Sequence, residues 1–251
     1  MPSADINVTQ GTSVGTNIFS GNTWNNFRNS TAGLFIDATP DATIGGTWSN
    51  AIVFFGSLKY YGRSLLMDFD LSGLPGGATI TGLVIKLYGV SPSSTWSQGS
   101  VIFLEGTFGS TINTGDLDSF TGFTSGWDSS DVTEYSSGYG GGDWDVGSFN
   151  EITLNSDAVS AANTAFAAGN RFKMYGMEYD NWYSDSAVPG SNQGKQVNWI
   201  ANPGASNEPV LVVTYSTGAS GYGNTVSGIA SANISSVNGI ATANISKING
   251  V

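Results

Sequence analysis

The clearest alternation of apolar and polar positions lies between Arg63 and Tyr88. Leu65, Met67 and Phe69 alternate with Ser64, Leu66, Asp68 and Asp70, the period of a strand with one face in a core. Gly73, Pro75, Gly76 and Gly77 follow as turn residues, and Ile80, Leu83, Ile85 and Leu87 resume an apolar run that predicts a second core strand. Leu34 to Ala38, Ala51 to Phe55, Val101 to Glu105, Ile152 to Leu154, Arg171 to Asp180 and Val210 to Tyr215 are further β-type runs. One helix is predicted, from Asp157 as an acidic cap through an Ala-rich body to a stop at Gly169. Short strands with frequent turn signals predict an all-β, jelly-roll-like antiparallel sandwich, not βαβ units.

Three regions depart from this pattern. Residues 1–33 are polar with isolated apolar points, among them Ile6, Val14, Trp24 and Phe27, and predict an N-terminal arm with one or two short strands. Gly106 to Ser148 and Asn181 to Pro209 are rich in Gly, Ser, Asn and Asp with aromatic residues interspersed. A structureless stretch as long as the first is unusual, so it is expected to hold short strands and packed aromatic anchors. Residues 217–251 form a separate module with an eleven-residue repeat, VSGIASANISS from Val226, VNGIATANISK from Val237 and INGV from Ile248.

The repeat admits two structures. Asn238-Gly239 and Asn249-Gly250 suit tight turns between short strands. An eleven-residue period also suits a right-handed helical supercoil with Val226, Ile229, Ile234, Val237, Ile240, Ile245 and Ile248 in one stripe. Glycine and β-branched residues favour the strands. In either form the stripe is too narrow to bury itself, so these seven residues are the expected assembly interface.

The two strands at the centre resemble the signature of DNRLRE-type domains, β-sandwich modules of secreted wall-associated and phage-encoded proteins. The matching residues are Arg63, Leu65, Phe69-Asp70-Leu71-Ser72, Leu74-Pro75, Gly77-Ala78-Thr79-Ile80 and Leu83 to Tyr88. Glu208 to Tyr215 is similar to that family's usual last strand, and Trp127-Asp128, Asp131-Val132 and Trp144-Asp145-Val146 look like its Trp-Asp and Asp-Val elements. The resemblance implies a sandwich over residues 34–216. It implies a shape rather than an activity.

Composition narrows the chemistry. Charged residues are 11% of the chain against about 25% in ordinary domains, so the surface is largely Ser, Thr, Asn and Gly, the style of an extracellular or virion surface. A formal charge of −11 with 8 basic residues repels phosphate backbones and anionic bilayers, so neither nucleic acid nor membrane is an expected partner. The chain has no histidine and no cysteine, which removes imidazole and thiolate chemistry together. Its start, MPSADINVTQGTSVG, has no basic n-region and no apolar h-region, a pattern expected of a protein that leaves its cell by lysis, as virion proteins do.

Two candidate sites remain. Trp127, Trp144, Trp182 and Tyr183 are candidate sugar-stacking rings, with loop anchoring as the competing role. Asp116, Asp118, Asp128 and Asp131 are candidate ligands of a structural calcium ion; no other cofactor is expected. No pair of carboxylates is marked by a motif, so an enzyme is not expected. The expected function is a non-catalytic structural protein at a virion or extracellular surface: a phage capsid-decoration, tail or fibre component, homo-oligomeric or bound to other virion proteins. The alternative is a carbohydrate-binding module that attaches to a polysaccharide.

Overall fold

The computed structural model describes residues 1–17, 23–31, 35–37, 45–54, 57–92, 96–124, 126–188, 193–200, 204–217, 236–237 and 240–241. The fold is mostly β. In chain order the strands are β1 (Ser3–Asn17), β2 (Phe35–Asp37), β3 (Gly45–Phe54), β4 (Ser57–Phe69), β5 (Ala78–Val90), β6 (Ser97–Gln98) and β7 (Ser100–Glu105). They continue as β8 (Tyr139–Gly140), β9 (Phe149–Thr153), β10 (Phe172–Glu178), β11 (Gln193–Trp199), β12 (Val210–Thr217), β13 (Ser236–Val237) and β14 (Ile240–Ala241). The α-helices among the described residues are α1 (Trp24–Arg28) and α2 (Ser156–Ala167).

The first twelve strands share one sheet in the order β2-β1-β12-β5-β11-β3-β4-β10-β7-β8, with β6 beside β11 and β9 beside β5. Only β6 runs parallel to its neighbour. β1 also pairs with β4, so the sheet curls back on itself nearly into a barrel and is not a clear sandwich. This corrects the expected pair of separate sheets. The reason is β1: Ser3 to Asn7 pair with β12, whereas Val8 to Asn17 pair with β4. A register shift between Val8 and Gln10 marks the change, and such an irregularity bends a strand from one neighbour to another. Residues 3–17 are therefore one long strand between neighbours in the main sheet, where one or two short strands are expected from the sequence.

Two clusters make up the core. In the first, Leu65, Met67 and Phe69 of β4 join Phe103 of β7 and Phe172 and Met174 of β10, together with Ile80, Leu83, Ile85 and Leu87 of β5 and Leu211 and Val213 of β12. In the second, Leu66 of β4, Ile102 and Leu104 of β7, and Tyr175 and Met177 of β10 meet Phe108, Leu117, Phe120 and Trp127 from the glycine-rich stretch and Trp24 and Phe27 of α1. β4, β7 and β10 are thus covered on both faces. Leu66, which alternation alone sends to the outer face, is fully buried.

The expected turn after β4 forms with Asp70 accepting from the Ser72 N–H at 2.9 Å and Gly77 at φ 75°. The predicted helix is α2, two residues longer at its start because Asn155, not Asp157, is its cap, accepting from the N–H groups of Asp157 and Ala158. Ala158 and Ala162 enter the first cluster. Asn163 both accepts from and donates to the Ile80 main chain at 2.9 Å, fixing α2 to the start of β5.

Candidate functional site

The four candidate sugar-stacking rings are core residues. Trp127 is fully buried, its ring carries the Arg28 guanidinium 3.9 Å above its centroid, and its Nε1 donates to the Arg28 carbonyl at 3.3 Å. Trp182 packs on Phe27 at 4.9 Å between ring centroids. Both rings close over Gly62, where a Cβ would stand 2.5 Å from the Phe27 ring and 2.6 Å from Trp182. Tyr183 stacks on Tyr179 at 5.5 Å and donates its hydroxyl to Glu134; burial first and then this carboxylate push its phenol above the ordinary value. Trp144 lies apart, in the first cluster, between Tyr139 and Trp199. None of the four is more than 6% exposed, so none offers an open ring face to a sugar.

Arg28 holds this layer together and is invisible in the sequence pattern. It is 5% exposed. Its guanidinium donates to the carbonyls of Trp182 and Trp127 and stands 3.4 Å from an Asp185 carboxylate oxygen, which also accepts from Trp24 Nε1 at 2.8 Å. Desolvation lowers its pKa, opposed by the charge of Asp185. Cation–π contact and carbonyl acceptors compensate the buried charge.

Three of the candidate calcium ligands, Asp116, Asp128 and Asp131, serve as turn caps. Asp116 accepts from the Asn113 N–H at 2.6 Å and from the Ser119 hydroxyl at 3.1 Å. Burial, with Asp116 nearby, raises the pKa of Asp118. Asp128 accepts from the Ser130 N–H at 2.7 Å and Asp131 from the Asp128 N–H at 2.9 Å. The two pairs sit in separate turns, and no group of three carboxylates that could hold a metal ion occurs among the described residues.

Of the seven expected interface residues, Val226, Ile229, Ile234, Ile245 and Ile248 lie outside the described residues. Val237 and Ile240 lie directly opposite each other in the antiparallel pair β13 and β14. The register brackets Asn238-Gly239, where the strand reading puts a tight turn.

A cleft of about 620 Å³ opens where the end of β4, the start of β10 and the C-terminal turn of α2 converge. Asp68, Glu105, Tyr135, Arg171 and Lys173 line it together with Ala161, Ala165 and Phe172. The Asp68 side chain is 1% exposed, and both its oxygens accept from Arg171 Nη1 at 3.2 Å. Burial nonetheless pushes this carboxyl above the usual carboxylate range, against the pull of Arg171. Glu105 accepts from the Thr121 hydroxyl at 2.5 Å, and burial followed by the charge of Glu105 raises the Tyr135 phenol.

The register sends the two carboxylates apart. Lys173 lies opposite Asp68 and Met174 opposite Glu105, and successive residues of β10 face opposite sides of the sheet. Asp68 and Glu105 therefore enter the cleft from opposite faces of the sheet. What converges is a balanced set of hydrogen-bonding groups over an alanine-rich floor, an arrangement that can hold a polar, uncharged ligand. Asp68 gave no sequence signal beyond a polar place in a strand; Arg171 and Lys173 stood out only as two of 8 basic residues in the chain.

No family model matches the chain, and no curated protein matches it. The resemblance to DNRLRE-type domains rests on residues in and around β4, β5 and β12 and on the Trp-Asp and Asp-Val elements between β7 and β9.

Proposed function

We propose that this chain is a non-catalytic structural protein of a virion or extracellular surface, a β-rich domain of DNRLRE type that assembles through its C-terminal repeat. One observation carries this reading. The main sheet takes its last strand at β12, whereas β13 and β14, inside the repeat, form a sheet of their own. A two-stranded pair is marginal in water by itself, so the repeat needs a partner for its apolar side chains. Replacing Ile229 and Ile240 together by Asp in the full chain is expected to abolish assembly in sedimentation velocity while the melting temperature stays nearly unchanged. Unchanged assembly in this variant refutes the reading.

The cleft favours a second reading, attachment to a polysaccharide, with Arg171 and Lys173 in place of the four buried rings as the polar contacts. Retardation in polysaccharide-containing gels that Arg171→Ala abolishes is the outcome this reading requires.

A further inference from the structure

β9 is an open sheet edge. Among the described residues it pairs on one side only, with β5, in a register running from Val84↔Thr153 to Tyr88↔Phe149. The Gly89 N–H donates to the Ser148 carbonyl at 2.9 Å and the Leu154 N–H to the Leu83 carbonyl at 3.0 Å. In an antiparallel ladder this phase turns the main-chain groups of Asn150 and Ile152 toward β5 and those of Phe149, Glu151 and Thr153 away from it. No hydrogen bond among the described residues takes up these outward groups, and all three side chains are exposed. Val146 and Phe149, at 52% and 41%, are two of the three exposed large hydrophobic residues among the described ones, and both stand at the start of this edge. A groove of about 510 Å³ continues past the other end, between Thr153, Leu154 and Val159 on one side and Leu83 and Val84 on the other.

Such an edge is a template for an added strand, and the C-terminal repeat carries strand-forming sequence. Ala230-Ser231-Ala232-Asn233-Ile234-Ser235 and Ala241-Thr242-Ala243-Asn244-Ile245-Ser246 alternate strictly between apolar and polar residues, the period of a half-covered strand. The single charge of the segment, Lys247, is opposite in sign to Glu151 on the edge. Among the described residues β13 and β14 pair with each other and β9 has one neighbour, and the assembly reading brings the added strand from a second copy.

We propose that β9 is the acceptor edge for a strand of the C-terminal repeat of a second copy of this chain. This rests on the assembly reading above and names its partner surface.

Glu151→Pro tests it, because the Glu151 N–H points away from β5 and a proline there removes an outward donor without breaking the β5 ladder. It also removes the 2.9 Å ion pair of Glu151 with Lys86, so Lys86→Gln is the control. In sedimentation velocity on full chains, the wild type and Lys86→Gln are expected to assemble alike, and Glu151→Pro to raise the dissociation constant about tenfold or more. Amide exchange in the wild type asks the same question without a substitution: the Glu151 and Thr153 amides should exchange slowly in concentrated protein and fast on dilution.

Glu151→Pro assembling like the wild type, or fast exchange at both amides in the assembled protein, overturns the edge proposal. If Ile240→Asp then still disperses the chain, assembly through the repeat stands and only the acceptor edge falls. A wild type that stays monomeric at every concentration removes both, and slow exchange at these amides in a monomer means that the chain's own segment fills the edge.

Discussion

On one face of β4, Leu65, Met67 and Phe69 meet mainly aliphatic side chains of facing strands; on the other, Leu66 and the neighbouring Tyr175 meet rings delivered by loops and by α1. The two layers solve the same problem with different materials. Facing strands bring side chains in a regular ladder, so Leu, Ile, Val and Met fill the space. Glycine-rich loops bring few side chains per unit length, and each must cover more area, which aromatic rings do at 150 to 250 Å², by rough estimate, apiece. Phe120, packed between Trp127, Phe123 and Tyr175 at about 5 Å in each case, shows how one loop residue serves where a strand would supply several.

The largest effect expected is at Phe69 in the strand-built layer. Phe69→Asp places an unpaired charge at a fully buried position, which a marginally stable domain does not survive. The variant should be insoluble, and a normal melting curve would show that the layer tolerates disruption. Trp127→Ala should cost less but still about 3 to 5 kcal/mol, as large-to-small changes in a core do. It should leave the β signal of circular dichroism intact. A cost typical of a surface substitution would demote the loop layer from core to covering.

Gly62→Ala sharpens the same comparison, since its Cβ would press on both Phe27 and Trp182. Overpacking of this kind costs about 1 to 3 kcal/mol, read from chemical denaturation; no change would mean that α1 and the segment around Trp182 shift freely. The smallest effect is at Asp68. Its folded pKa is raised, so the proton-linked stability is present below the unfolded value of about 4 and is lost as pH rises through the folded value. The melting temperature of the wild type relative to Asp68→Asn should therefore improve on acidification through that window. A gap that stays constant between neutral and acidic pH would show that Arg171 fully compensates the buried charge.

Much of the strand-built layer was legible in the sequence. The alternation at 65–69, the run from Ile80 to Leu87 and the closing run from Val210 all lie in strands whose apolar side chains enter the first cluster. Less legible were strands whose side chains carry little apolar signal. β1 contains Gln10-Gly11-Thr12-Ser13, and β11, Gln193 to Trp199, falls in a stretch that reads as loop. Both lie between two neighbours because their main-chain groups find partners on both sides. In β11, Asn198 is buried with its side-chain amide donating to the Ser91 carbonyl at 3.1 Å. The sites followed the same division: residue type suggested sugar-stacking rings and calcium ligands, but whether a ring is exposed or a carboxylate is already engaged depends on neighbours far along the chain.

Local chemistry decided what each short stretch could become. Period-2 alternation marked the core strands, Gly77 permitted the left-handed turn, an asparagine or aspartate could cap α2, and the eleven-residue repeat set its own period apart from the rest. Only the tertiary structure decided that β1 would pair with both β12 and β4 and curl the sheet toward a barrel, that four candidate binding rings would be buried, and that Arg28 would bridge α1 to two distant loops. The physical reason is the range of the forces. Turn geometry and alternation act within a few residues, whereas main-chain pairing is nearly indifferent to side-chain identity and is fixed by whichever partners the whole chain brings within hydrogen-bonding distance.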